Sequence, residues 1–498
     1  MSTETELKLS IAPEYIEKFL QYPLLQTIVP TTKQLRNVYF DTPELDLLKQ
    51  KIGLRIRYVG QIRLQTLKTA GKSVGGLHQR QEWEVEIQGD TPCYEQIPEQ
   101  IREKMPAFSV ILPVFTTNFQ RKQWDIQLGD NLVELVLDQG TIQAAQTALP
   151  LYEIELELKQ GSTTALYDIA LDLLNYLPLR IENQSKAARG YQLFHPKVPQ
   201  VAHAAPIHLD RAMTAKQAFI HIVWQELQHL QANELAMLSG ENSEEAIHQM
   251  RVAVRKLRSC FGIFKAFVPV SCDGYAMLRQ ELHWLGEKSG VARDWDVFEQ
   301  TIHKVQQQVT ATTVMDSLAV TVRYFKIQAH ETMRETLNSP RYHHLLLSLG
   351  KWLTQQSESP EISESRWELP ISTLSSEILQ RRYLFVQEQG EKLLKLSEKQ
   401  RHAVRIEIKK LSYAARFFIS LYPSKNTEDY LKLLAKLQTE LGILNDMAVA
   451  HSLLNRAGLH PQAPARHLLI GWYAYQRANY LQKLEKTWAT WLKQKTFW

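Results

Sequence analysis

Three ionisable residues near the start of the chain, Glu4, Glu6 and Lys8, are spaced two apart. Successive side chains of a β-strand point to opposite faces. The spacing therefore sets two carboxylates and an ammonium on one face, opposite Thr5, Leu7 and Leu9. Later segments repeat the pattern. Arg55 and Arg57 alternate with Leu54 and Ile56, and Thr66 shares a face with Lys68. Arg80, Glu82 and Glu84 stand opposite Trp83 and Val85, and Glu134 aligns with Asp138. Glu153, Glu155, Glu157 and Lys159 alternate with Ile154, Leu156 and Leu158. A wet face on an antiparallel sheet accounts for any one such segment. These faces, however, are almost wholly ionic, and they divide into acid-rich and base-rich strands. Hard divalent cations take oxygen ligands, typically carboxylates together with substrate phosphates. Phosphate oxygens take Arg forks and Lys point charges. The lumen of a small barrel built for metal ions and a polyphosphate needs both kinds at once.

The elements that must position these residues are β-strands. Up to about residue 190, short alternating segments are broken by turn signals such as Val59-Gly60, Gly75-Gly76 and Gly129-Asp130. Helical interludes are expected at 13–21 and 162–177. A Pro-containing stretch follows, and the reading takes 1–195 as one domain and 196–213 as a linker. From about residue 214 apolar residues recur at three- and four-residue spacing, as in 215–232, 244–267, 401–422 and 463–491. The polar stretch 355–365 separates two helical bundles, about 214–354 and 366–498. The expected class is thus α+β and multidomain. Gly71-Lys-Ser-Val-Gly75-Gly76 resembles a phosphate loop, but it lacks the required spacing and reads as a strand connection.

The helical half contains an echo. His248, Arg251, Arg255, Lys256 and Leu257 recur 154 residues later as His402, Arg405, Lys409, Lys410 and Leu411. Leu285-Gly286 followed by Asp294 and Asp296 is matched by Leu441-Gly442 followed by Asn445 and Asp446. Two echoes in the same order point to a duplicated bundle.

Bulk properties set outer limits. The 498 residues carry a formal charge of +5, unevenly placed. Residues 1–200 hold 21 basic against 24 acidic side chains, and the remainder 37 against 29. The three cysteines, Cys93, Cys260 and Cys272, are in no metal-ligand spacing and fit a reducing, cytoplasmic setting. No apolar run approaches the roughly 20 residues that span a bilayer, and no signal-peptide pattern opens the chain.

The opening Glu-x-Glu-x-Lys resembles the signature of the CYTH, or triphosphate tunnel metalloenzyme, superfamily. More of that pattern follows in order: Tyr39-Phe40-Asp41-Thr42, Leu54-Arg-Ile-Arg57, Thr66-Leu-Lys68, Glu153-Ile-Glu155-Leu-Glu157 and Ser185-Lys186-x-x-Arg189-Gly190. The second half resembles a CHAD domain. The first resemblance implies a closed eight-stranded antiparallel barrel with a charged tunnel. It implies Glu4, Glu6, Asp138, Glu153 and Glu155 as ligands of Mg²⁺ or Mn²⁺. Lys8, Arg55, Arg57, Lys68, Arg121 and Lys186 would clamp phosphates, with Arg121 preferred over Lys122. Lys8, Glu4 and Glu6 would serve the chemistry. Arg80, Glu82, Glu84, Glu134 and Glu157 fit tunnel-lining positions.

The implied reaction is hydrolysis of inorganic triphosphate to diphosphate and phosphate. Two alternatives stay open: an organic triphosphate (thiamine triphosphate or a nucleotide), and a non-catalytic polyphosphate-binding protein.

For the helical half, His248, Arg251 and Arg255 share one helix face at i, i+3 and i+7, with Lys256 and Arg258 nearby. His402, Arg405, Lys409 and Lys410 form the second strip. The two strips suit inorganic polyphosphate, which offers repeating charge and no bases to read. Nucleic acid ranks below it, because the aromatic residues, though plentiful with eleven Trp in the chain, are scattered at helical core spacing rather than interleaved with the basic strips.

Overall fold

The computed structural model describes residues 2–69, 71–103, 105, 110–269, 273–309, 312–360 and 365–498. Cys272 and part of the 355–365 stretch lie outside them. Ten strands form one sheet: β1 (Ser2–Ser10), β2 (Thr31–Asp41), β3 (Gly53–Val59), β4 (Ile62–Lys68), β5 (Lys72–Val74), β6 (Leu77–Glu86), β7 (Leu112–Leu128), β8 (Asn131–Ala144), β9 (Thr147–Gln160) and β10 (Arg180–Ile181). The order is β10-β1-β9-β8-β7-β2-β3-β4-β6-β5, and a further β1–β6 pairing closes it. Eight antiparallel strands therefore make a barrel, with β5 and β10 appended. The candidate phosphate loop is the β5–β6 hairpin, in which Val74 pairs with Leu77.

Period-two alternation decides the two faces. Outside the wall, Val38, Phe40, Leu54, Ile56 and Leu67 build a core with Ile97 and Ile101. Inside one end, Tyr39, Phe115, Phe119, Ile142 and Leu151 pack around Tyr191. Tyr191 belongs to α2 (Lys186–Phe194), which follows α1 (Thr164–Tyr176). Gly190 lets α2 seat itself, because a Cβ there would fall 2.1 Å from the Phe115 ring. Ser185 caps α2, its hydroxyl accepting from the Ala188 N–H at 3.1 Å.

The chain from 215 onward is helical. Its long elements are α3 (Ala215–Gln231), α4 (Ser243–Phe264), α5 (Tyr275–Gln308), α6 (Thr312–Asn338), α7 (Pro340–Glu358), α8 (Ile371–Gln389), α9 (Glu398–Phe417), α10 (Lys425–Arg456) and α11 (Pro464–Lys493). Capping boxes open α3, with Thr214 and Gln217, and α9, with Ser397 and Gln400. Aromatic rings pack inside this unit, Phe219 lying edge-on to Phe261 at 5.1 Å.

Two compact units emerge: Met1–Pro199 with Asn338–Gln355, and Gln200–Leu337 with Gln356–Trp498. The segment after Pro199 is fastened to the second unit. Ala202 exchanges hydrogen bonds with Asn233 at 3.0 Å each way. α7, by contrast, groups with the barrel, although it lies far along the chain. Among the described residues no helix is long and apolar enough to cross a membrane.

Candidate functional site: a charged barrel lumen and a basic helical cluster

One cavity of about 1000 Å³ fills the barrel. Glu4, Glu6, Lys8, Arg55, Arg57, Lys68, Arg80, Glu82, Glu84, Arg121, Glu134, Glu155, Glu157 and Lys186 all line it. Alternation on seven of the eight barrel strands brings them together, with Lys186 supplied by α2. Cross-strand register sets their neighbours: Glu6 opposite Glu157, Lys8 opposite Glu155, Glu134 opposite Glu157 and Arg121 opposite Asp138.

Deep in the wall the charges are mutually satisfied. Arg121 grips Asp138 with two hydrogen bonds, at 2.7 and 2.6 Å, and reaches Glu155 at 2.7 Å. Lys186 lies 2.9 Å from each of Asp138, Glu153 and Glu155. Arg189 also binds Glu153. Lys8 touches Glu155 and lies 2.8 Å from Glu6. Asp138 and Glu153 are fully buried and do not line the cavity.

The pKa shifts follow from this packing. Burial opposes the charge of Asp138, yet Arg121 and then Lys186 outweigh it and hold the carboxyl below its ordinary range. At Glu153 burial, helped by the Glu155 charge, prevails over Lys186 and Lys8 and raises the carboxyl. At Lys8, burial is outweighed by Glu155 and Glu6, and the ammonium is held more firmly than usual. Of the carboxylates expected to ligate metal, Asp138, Glu153 and Glu155 are thus each engaged by at least two cationic side chains.

Toward the other end, carboxylates accumulate. Glu4 pairs with Lys68 at 2.7 Å, and Glu157 and Glu134 share Lys159 at 2.7 and 3.5 Å. Burial raises Glu157; Lys159 pulls it down, and the nearby Glu4 and Glu134 charges push it up again. Crowded carboxylates of this kind form a donor set for a hard divalent cation. Among the described residues no group of three or more His, Cys, Asp or Glu is already gathered at metal-binding distance. Beside the acids, Arg57 is drawn down to about 10 by burial and then by Arg55 and Arg121. Arg55 is buried, its Nη1 donating to Tyr39 Oη at 3.3 Å and its Nη2 lying 3.7 Å from Glu82, too far for a hydrogen bond. Nε and Nη2, without a hydrogen-bond partner, fit an incoming phosphate.

Lys33, Lys51, Gln123 and Tyr39 also line the cavity, and the sequence reading gave them no role. Tyr39 shares parity with Lys33 along β2, which was the signal available.

In the helical unit α4 packs on α9, and α5 on α10. This juxtaposes the two basic strips. Arg251, Arg255, Arg405 and Lys409 lie close enough to repel one another, with Asp294 and Asp446 beside them. Asp294 lies 3.7 Å from Arg251. Nε of both Arg255 and Arg405 is buried without a partner. His248 is half-buried, its ring lowered by burial and then by Arg293.

Other members of the expected strips have partners of their own. Lys256 is buried and bound to Glu226 at 2.7 Å, because position 256 falls on the core side of α4. Arg258 is exposed and meets His283 at 2.7 Å; Lys410 pairs with Glu407 at 2.6 Å. His402 binds Asn445. Asp296 lies in the core against His330 at 2.7 Å.

Comparison with known proteins adds the family. The CYTH domain family matches residues 2–191, and the CHAD domain family matches 221–455. A crystal structure of the CHAD domain from the plant Ricinus communis is 31% identical, covering 58% of this chain and 96% of that one at a TM-score of 0.50. The chain joins a CYTH domain to a CHAD domain. An inorganic triphosphatase of Haemophilus influenzae is 39% identical over 196 residues, which is 39% of this chain and 55% of the relative. The chain thus spans about half the length of that curated relative. A putative adenylyl cyclase from Hippeastrum, described as revealing a dominant triphosphatase activity, is similar at 18% identity over 38% of this chain and 95% of that one. Its TM-score of 0.30 carries no argument. The CYTH domain holds the barrel, and the CHAD domain holds the duplicated strips.

Proposed function

We propose that the CYTH barrel hydrolyses inorganic triphosphate with a divalent metal, Mg²⁺ or Mn²⁺, and that the CHAD domain binds inorganic polyphosphate. One observation carries the reading. A single cavity sets Arg55, Arg57, Lys68 and Arg121 beside the crowded carboxylates Glu4, Glu134 and Glu157. Glu4 and Glu157, with Glu134, would hold the metal, and Glu6 would join them by exchanging its contacts with Lys8 and Arg80 for the cation. When bound, it supplies positive charge to phosphate oxygens.

The chain's own residues do the rest. Arg55, Arg57 and Arg121 present fixed guanidiniums to the phosphate chain and offset charge that develops in phosphoryl transfer. Lys8, with its proton held firmly by Glu155 and Glu6, is a donor of hydrogen bonds and of charge. An organic triphosphate remains a second reading, because Val59, Ile62 and Leu64 line the same cavity and offer an apolar surface to a larger leaving group. The rival binding-only reading predicts no turnover. In the CHAD domain, the partnerless Arg255 and Arg405 nitrogens support capture of a polyanion. Cytoplasmic residence fits the same substrates.

The test is phosphate release from the full chain with inorganic triphosphate, ATP, thiamine triphosphate and long-chain polyphosphate. Each is run with Mg²⁺, Mn²⁺ or excess chelator. Metal-dependent turnover that favours inorganic triphosphate and disappears in Glu4→Gln/Glu6→Gln is the expected result. Turnover unchanged by chelator, or by those substitutions, overturns the reading.

A further inference from the structure

The strand that carries Glu4, Glu6 and Lys8 is held unevenly along its length. β6 pairs with β1 as far as Leu7, and the Lys8 N–H still reaches the Gly76 carbonyl of the β5–β6 turn at 3.3 Å. Beyond that point β10 takes over: Leu9 pairs with Ile181, Ser10 with Arg180, and the Glu182 N–H donates to the Lys8 carbonyl at 2.9 Å. β10 is two residues long and forms an outer edge of the sheet. Edge strands present N–H and C=O groups that need partners or cover.

Cover comes from α7. The Ile181 N–H donates to His343 Nδ1 at 3.3 Å. Burial, then Arg180, pulls the His343 ring down to about 4. It therefore stays neutral near pH 7 and can accept. Farther along α7, Lys351 reaches Asp168 of α1 at 2.6 Å. Gly350 lets the helix close on Tyr167, since a Cβ there would lie 2.6 Å from that ring. α7 falls within the span matched by the CHAD family, yet residues 338–355 group with the barrel.

We propose that α7 is the edge cover of the barrel and that His343 is a positioning residue for β1, acting through β10 on the Lys8 backbone. The triphosphate site is then complete only when chain from beyond residue 340 is in place. The catalytic part of this proposal rests on the triphosphatase reading; the structural part does not.

The experiment uses the full chain, with H343L to remove the acceptor and H343N to restore one. An Asn amide oxygen can accept near the position of Nδ1. Amide exchange is followed at 180–182 and 8–10, together with the kcat and KM for inorganic triphosphate. In H343L, exchange at those segments is expected to quicken by about tenfold. The kcat should drop by about three- to tenfold with KM within about twofold, and H343N should recover both. Lys351→Met, at a less buried site, should quicken exchange by about threefold and serves if H343L does not fold. Unchanged exchange in H343L and Lys351→Met overturns the edge-cover proposal. Quickened exchange with unchanged kcat overturns the positioning role. A wild-type chain without turnover fails the triphosphatase reading alone, and exchange still decides the cover.

Discussion

Lys409 gives the helical domain a pH signature. Burial, with Arg405, Arg255 and Arg251 nearby, pulls its ammonium down to about 7. A polyphosphate bound against it would restore the charge and return the group toward the ordinary lysine value of about 10.4. The sign follows from proton uptake. Below about pH 7 the free protein already carries the proton, so the affinity is fully present. Above that, binding must take up a proton, and Kd rises by up to about tenfold per pH unit until the bound-state value is passed. Between about pH 6 and about pH 9 the loss is on the order of a hundredfold. Folding obeys the same linkage. Lys409 holds its proton less tightly folded than unfolded, so the unfolded chain binds more protons in this window and stability rises with pH. The assay is titration with a fluorescent polyphosphate of fixed length across that range. Ionic strength is held constant, because phosphate binding is salt-dependent. Lys409→Arg keeps its charge throughout and should bind with a nearly flat profile. Lys409→Met should be flat and weak. A wild-type Kd that does not change with pH, or a Lys409→Arg slope equal to that of wild type, refutes the reasoning.

Three other substitutions separate support from chemistry. Arg121→Leu strips the two-pronged partner from fully buried Asp138. Lys186 remains 2.9 Å from Asp138, so the cost in denaturant unfolding should fall at or below the low end of the roughly 3–5 kcal/mol for a broken buried pair; a loss under about 1 kcal/mol would contradict the buried pair. Lys256→Met leaves buried Glu226 with only the His229 ring, 3.6 Å away, as a possible ionic partner. It should lower stability by roughly 3–5 kcal/mol, while polyphosphate Kd at neutral pH stays within about twofold, since Lys256 faces away from the cluster. Gly190→Ala drives a methyl into the Phe115 ring and should cost about 1–3 kcal/mol, read from the thermal midpoint.

Much of the barrel was legible because alternation has only two outcomes. Glu4, Glu6 and Lys8 had to share a face, and so did Arg55 and Arg57. Depth along the lumen was not legible. Nothing in Glu153-Ile-Glu155-Leu-Glu157 says that Glu153 is sealed under Lys186 and Arg189 while Glu157 meets Glu134 across the strand. That difference comes from register and from where α2 enters the barrel, both long-range properties. On the helices the strip rule placed Arg251 and Arg255 with Arg405 and Lys409. It failed for Lys256, because adjacent helical positions are turned by about 100° and position 256 points at Glu226. The grouping of α7 with the barrel had no local signal, since its apolar pattern reads like that of any buried helix.

The order of strands also sets a timetable for synthesis. β1 leaves the ribosome first, but its partners β6, β9 and β10 follow only at residues 77, 147 and 180. The helix that covers β10 follows at 340. At a translation rate of about 5–20 residues per second, β10 waits roughly 10–30 s for that cover. Through this interval the nascent barrel carries a bare edge, and such edges recruit other chains. The charged face of β1 and the shortness of β10 work against that recruitment. Slowing translation between residues 181 and 340 would lengthen the exposure, and a chain cut before 340 would never end it.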